Sequence, residues 1–172
     1  MRRLIILRHA KAERASPGGR DFDRTLAPRG REDAAKVGAY MAQHGLVPDH
    51  ALVSPAKRTR ETWTLVVAAL SATPALKYDE RLYDAKAETI LQVVREAPAQ
   101  AHSVCVVAHN PGLHQLCLVL VGAGDRDSRD RLAVKLPTSG LVVIDFAVDV
   151  WDRLRPHHGR LDRFVNLRQV LD

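Results

Sequence analysis

The chain has 172 residues, a length that suits a single domain over residues 1–172. Hydrophobic residues make up 46% and aromatics only 5%, so a core forms from Leu, Val, Ala and Ile, and a disordered chain is excluded. Lys and Arg number 26 against 20 Asp and Glu, and residues 1–60 hold 13 basic against 6 acidic, so an anionic partner is expected, met largely in the first third.

The opening Met1-Arg2-Arg3 leads into Leu4–Leu7, four apolar residues and too few for a signal peptide. No run approaches the ~18 apolar residues of a membrane span, so the expectation is a cytoplasmic protein without membrane contact. Leu4–Leu7, Ala51–Val53 and Val104–Ala108 are continuous rather than alternating, as in parallel strands covered on both faces. Leu141–Phe146 reads as a fourth strand of the same sheet. Between them lie helical patterns. Arg31–His44 carries a small and apolar face and stops at Gly45. Trp63, Val66, Val67 and Leu70 follow the helical period, Ile90 to Val94 make a shorter stripe, and Leu113 to Val121 repeat it. Ser54-Pro55 and Asn110-Pro111 read as a cap followed by proline at the first helical position. Residues 15–30 and 122–131 read as loops, with the charged run Arg126 to Arg131 exposed. Val150–Asp172, with Leu154, Leu161, Val165, Leu167 and Leu171, is left open between strand, helix and partner surface. Cys105 and Cys117 lack metal-ligand spacing and read as buried thiols of a reducing compartment. Alternating strands and helices predict an α/β fold, a three-layer α/β/α sandwich with a mostly parallel central sheet.

Ligands of an open parallel sheet bind at the carboxyl ends of its strands. Here those ends carry Arg8-His9, Ser54-Pro55-Ala56-Lys57-Arg58 and His109-Asn110-Pro111-Gly112, with helix starts beside them. Helix N-termini offer free N–H groups and partial positive charge. Arginine adds a planar fork of donors that matches two phosphate oxygens and stays charged. The sum is a pocket for a tetrahedral dianion. A neutral imidazole can attack phosphorus, and neighbouring cations hold a histidine unprotonated. Its other ring nitrogen needs an acceptor to fix the tautomer.

These residues carry a resemblance. Leu7-Arg8-His9-Ala10 resembles the Arg-His-Gly signature of the histidine phosphatase superfamily, the phosphoglycerate mutase-like fold. Ser54 to Thr62 and Ala108-His109-Asn110-Pro111-Gly112 resemble its second and third signatures, and Arg24-Thr25-Leu26-Ala27-Pro28-Arg29-Gly30 resembles the Arg-x-Leu-x-x-x-Gly segment of the SixA-type phosphohistidine phosphatases. The match runs in order from residue 4 to about residue 146. It implies His9 as the nucleophile that becomes phosphohistidine. It implies Arg8, Arg58 and His109 as a clamp on the phosphoryl oxygens, with Arg24 as a further positive contact. No metal or organic cofactor is implied. Ala10 stands where glycine is usual, which points to the SixA-type branch. Asp79-Glu80-Arg81-Leu82-Tyr83 resembles the segment carrying the acid glutamate of the mutase branch, making Glu80 the candidate proton donor. A labile P–N bond has a better leaving group than an ester and needs that proton less.

Mutase-branch relatives are longer, with insertions that wall in a small substrate. This shorter chain is expected to have a shallow pocket, open to a phosphohistidine on a protein such as a phosphotransfer domain. The alternative within the fold is a small-molecule phosphomonoesterase or mutase. Outside it stand a non-catalytic phospho-ligand module and a basic nucleic-acid binder. Scarce aromatic platforms and the absence of a binding motif speak against nucleic acid. The expected partner is therefore a phosphorylated protein or small phosphorylated substrate, with the oligomeric state open and a monomer compatible. His44, His50, His102, His114 and His157-His158 read as structural or solvated.

Overall fold

The computed structural model describes residues 1–167. Among them the strands are β1 (Arg2–Arg8), β2 (His50–Val53), β3 (Ala75–Tyr78), β4 (Ser103–Ala108), β5 (Val121–Gly124), β6 (Leu141–Phe146) and β7 (Gly159–Val165). The helices are α1 (Pro28–Gln43), α2 (Lys57–Val67), α3 (Ala87–Arg95), α4 (Gly112–Leu120) and α5 (Arg126–Val134). The seven strands form one sheet in the order β3-β2-β4-β1-β6-β7-β5. Pairings β3·β2, β2·β4, β4·β1 and β7·β5 are parallel, and β6 runs against both β1 and β7. The sheet is therefore mostly parallel, with β6 reversed.

Successive side chains of a strand point to opposite faces. Leu4 and Ile6 of β1, with Val104, Val106 and Ala108 of β4, join Ile90, Val94, Leu113 and Leu116 of α3 and α4. Ile5, Leu7, Cys105 and Val107 face the other way, onto Val37 and Met41 of α1 and Trp63 and Val66 of α2. Both faces are covered, which is why the central strands are apolar without alternation. Helices on both sides complete the three-layer sandwich. Both cysteines are buried and unbridged.

Several boundaries differ from the sequence expectation. α2 starts at Lys57 behind Ala56 with no side-chain cap. The Ser54 hydroxyl instead lies 2.7 Å from His109 Nε2. α4 starts at Gly112, and Asn110 still serves it, its Oδ1 accepting from the His114 N–H at 3.2 Å. Arg126–Arg131 is not a loop but most of α5, which Asp125 caps by accepting from Ser128 N–H at 2.9 Å. Only Leu132 of that helix is buried, so it has almost no apolar period to read. Val121 leaves the α4 stripe and opens β5, and residues 28–30 of the expected first loop begin α1. β3 carries no strand signal in the sequence because all four of its residues are exposed at the sheet edge. Within the open C-terminal segment Gly159–Val165 becomes β7 after a turn that exposes His157 and His158, while Leu171 lies outside the described residues.

Two glycines mark where helices close on the site. A Cβ on Gly30 would stand 2.0 Å from the Lys11 carbonyl oxygen, and one on Gly112 would stand 2.1 Å from that of Ala85. Only hydrogen fits at either place.

Candidate active site

The site is assembled where strands end. Arg8 closes β1 and pairs with Ala108, the last residue of β4, so His9 and His109 leave the sheet side by side. The His9 N–H donates to Ala108 O, and the two rings lie 5.3 Å apart between centroids, tilted by 53°. β2 ends next to β4 and is followed by Ser54 and, in the first turn of α2, by Arg58. The sheet thus brings Arg8, His9, Arg58 and His109 into one cluster. His9 is 8% exposed, His109 7% and Arg58 6%.

His9 Nδ1 lies 2.7 Å from the carbonyl oxygen of Ala10. A carbonyl only accepts, so Nδ1 carries the proton and Nε2 keeps its lone pair. The Ala10 peptide is itself held, its N–H donating to Thr62 Oγ1 at 3.0 Å while that hydroxyl donates to Arg58 O at 2.7 Å. This is the acceptor that a sequence cannot display. Burial first, and then the charges of Arg58, Arg8 and Arg24, push the His9 ring down to about 4, against the opposing pull of the Ala10 bond. His109 is pushed down to about 3, by burial first and then by His9 and Arg58. Both rings are neutral at ordinary pH. The cations expected to hold His9 unprotonated contribute, but exclusion of water outweighs them.

Arg8 Nη1 donates to Leu136 O at 3.1 Å, and Asn110 Nδ2 donates to the same oxygen at 2.9 Å. The Ser139 N–H lies 3.2 Å from Arg8 O and 3.1 Å from His9 O, while Arg8 N–H donates to Gly140 O. The reversed β6 makes this possible, since its amino end rather than its carboxyl end meets the end of β1. Among the described residues five buried side-chain polar atoms lack a partner. Four of them, Arg8 Nε, Arg58 Nε, His109 Nδ1 and Ser139 Oγ, belong to this cluster. Buried donors without partners are uncommon in folded chains, and here they gather around one imidazole.

Asp21, which no sequence motif singles out, links the outer residues. Its Oδ1 accepts from Arg24 Nη1 at 2.8 Å, and its Oδ2 accepts from Arg58 Nη2 at 3.1 Å and from the Tyr83 hydroxyl at 2.6 Å. Its backbone oxygen accepts from Arg58 Nη1 at 2.9 Å. The bonds from Tyr83 and Arg24, ahead of the smaller effects of Arg58, hold its carboxyl well below the usual range. The available signal was its place three residues before Arg24. Arg24 is thus at the rim, its Nε also donating to Glu13 O at 2.7 Å. Glu80 is exposed and makes no hydrogen bond to either histidine of the pair. It lines an open cleft of about 560 Å³ with Arg20, Asp21, Phe22, Pro55 and Tyr83. Tyr83 stands edge-on to Phe22 at 5.1 Å and to His109 at 5.5 Å. His114 Nε2 bonds to Leu132 O at 2.6 Å, a structural role as expected. Among the described residues no group of three or more His, Cys, Asp or Glu is placed to hold a metal ion.

Residues 4–89 match the family model of the Histidine phosphatase superfamily (branch 1). The chain belongs to the histidine phosphatase superfamily. It is 32% identical over 162 residues to an uncharacterised protein of Mycobacterium leprae, covering 92% of this chain and 98% of that one. A solved structure from Agrobacterium tumefaciens, assigned as phosphohistidine phosphatase SixA, superposes with a TM-score of 0.80 at 32% identity, over 96% of this chain and 97% of the other. The protein histidine phosphatase SixA complexed with tungstate gives 0.78 at 16% identity over 98% and 99%, a likeness of fold. This histidine phosphatase is of the SixA type, and the superfamily makes it a phosphatase, a hydrolase. No helix among the described residues is long and apolar enough to cross a membrane.

Proposed function

We propose that His9 is the nucleophile of a phosphatase that removes phosphate from phosphohistidine on a protein. The observation that carries this reading is the state of the His9 ring: buried, neutral, with Nδ1–H tied to Ala10 O and the Nε2 lone pair left for phosphorus. In the first step Nε2 attacks, the P–N bond of the substrate breaks, and its electron pair passes to the departing imidazole, which takes a proton. Nε2 then carries the phosphoryl group and the ring is cationic, a charge that the Ala10 carbonyl supports. In the second step water attacks phosphorus, the P–Nε2 pair returns to the ring, the water gives up its proton, and phosphate leaves.

Arg8 and Arg58 act as fixed positive charges on the transferring oxygens, which is most of what phosphoryl transfer requires. His109 contributes a neutral donor. In this reading the Ser54 hydroxyl is the donor to its Nε2, which leaves the proton on Nδ1, the buried atom without a partner. Arg24 adds charge at the rim through Asp21. Glu80, which lines the cleft, would serve the leaving group rather than the nucleophile. The cleft is open and walled by Phe22 and Tyr83, surfaces that suit a planar imidazole presented by another protein.

Rapid quench with a labelled phosphohistidine protein is expected to trap an acid-labile, base-stable adduct on His9, absent in His9→Ala. Turnover of that protein is expected to exceed that of a panel of small phosphate esters. An ester turned over much faster would overturn the substrate, and an adduct on any other residue would overturn the mechanism.

A further inference from the structure

Arg8, Arg24 and Arg58 bring three positive charges to the site, and both histidines are neutral. Against them stands the carboxylate of Asp21, which meets two of the three guanidinium groups directly. Arg20 and Glu80 both line the cleft wall, and Arg20 lies 3.8 Å from Asp23. Arg8, Arg24 and Arg58 less Asp21 leave two positive charges on these four residues, enough to meet a phosphate dianion. Asp21 also holds both Nη atoms of Arg58, by its carboxylate and its own backbone oxygen, so that Nε is the nitrogen left without a partner.

We propose that Asp21 is a positioning residue that trims the charge of the phosphoryl site and so sets how fast product phosphate leaves. The proposal rests on the reading of His9 as nucleophile. A site with three unopposed guanidinium groups would grip the dianion left by phosphoenzyme hydrolysis, and turnover would wait on its release. Asp21 is 52% exposed and sits at the mouth, where a carboxylate weakens that grip without facing the nucleophile. Its fourth bond, from the Tyr83 hydroxyl, ties the same carboxylate to the aromatic wall of the cleft.

The test is product inhibition, because charge trimming and mere scaffolding move it in opposite directions. In Asp21→Asn the inhibition constants of inorganic phosphate and orthovanadate are expected to fall about tenfold, the order set by one unit charge a few ångström away in a half-solvated site. The kcat is expected to fall with them, while kcat/KM changes less. Asp21→Glu is expected to restore wild-type inhibition. If Asp21 only props Arg58 in place, the asparagine variant binds phosphate more weakly, and the proposal is overturned. Unchanged inhibition overturns it too. Asp21→Ala, checked by its thermal midpoint, repeats the measurement should the asparagine variant fold poorly. A wild-type protein that forms no His9 adduct and is not inhibited by phosphate would defeat the nucleophile reading itself. A competent wild type beside an asparagine variant with no tightened inhibition defeats the charge-trimming role alone.

Discussion

Replacing His9 by asparagine should make the fold less sensitive to acid. In the unfolded chain the ring takes a proton near its ordinary 6.5; in the folded chain it does so only at about 4. A histidine depressed in this way lends full stability above 6.5, and that stability is lost as pH falls toward 4, because the unfolded state binds the proton first. The gap of about 2.5 units corresponds to about 3 kcal/mol by pH 4, a large part of the stability of a small domain. An amide side chain does not titrate, so wild type should lose about 3 kcal/mol more than His9→Asn between pH 7.5 and pH 4. Urea titrations followed by tryptophan fluorescence read this directly, since Trp63 and Trp151 are both buried. The same depression has a catalytic face. At pH 5.5 a ring titrating at 6.5 would be about one-tenth neutral, whereas His9 stays almost wholly neutral, so adduct formation should persist there. Equal acid losses in the two proteins would refute the buried neutral ring, and with it the reason Nε2 is free to attack.

Arg58→Ala should slow adduct formation by ~10²-fold in a quench experiment, as expected for loss of a fixed charge on the transferring group. Ser54→Ala removes the hydroxyl 2.7 Å from His109 Nε2 and strands a buried ring nitrogen, which should cost ~1–3 kcal/mol in denaturant titration and slow turnover. Gly30→Ala drives a methyl to 2.0 Å from Lys11 O, and its thermal midpoint should drop by the equivalent of ~1–3 kcal/mol, since backbone rather than a flexible side chain must move.

The inner part of the site was legible in the sequence because strand ends are. Unbroken apolar runs located β1, β2 and β4, and the residues just after them fell at the carboxyl edge, giving Arg8-His9 and His109 beside each other. Arg58 followed from its spacing after the second run. The rim was less legible. Asp21 acts through bonds to residues 24, 58 and 83, and two of those separations are too long for any local pattern to register. Ala10 and Thr62 act through a backbone carbonyl and a relay of hydroxyl bonds that leave no mark on residue type. In the fold, the elements missed were those with little buried surface: β3, fully exposed at its edge, β5, none of whose residues is fully buried, and α5, which buries Leu132 alone. Burial writes periodicity into a sequence, and elements that bury little carry none.

The direction of β6 has a consequence for how such a cleft gains depth. Its first residues enter the sheet beside the end of β1, so the chain from Asp125 to Gly140 comes down onto the chemistry from outside instead of departing from it. That stretch is anchored by Leu132 and Leu136 and by the Leu136 carbonyl, and most of its side chains face water. Added length at the exposed Lys135, between the end of α5 and the Leu136 carbonyl that Arg8 holds, would border the cluster while every strand register stayed as it is, since surface connections absorb insertions that cores reject. The architecture thus separates two variables, the reactivity of the imidazole and the height of its surroundings, and lets a lineage alter substrate size without rebuilding the machinery beneath.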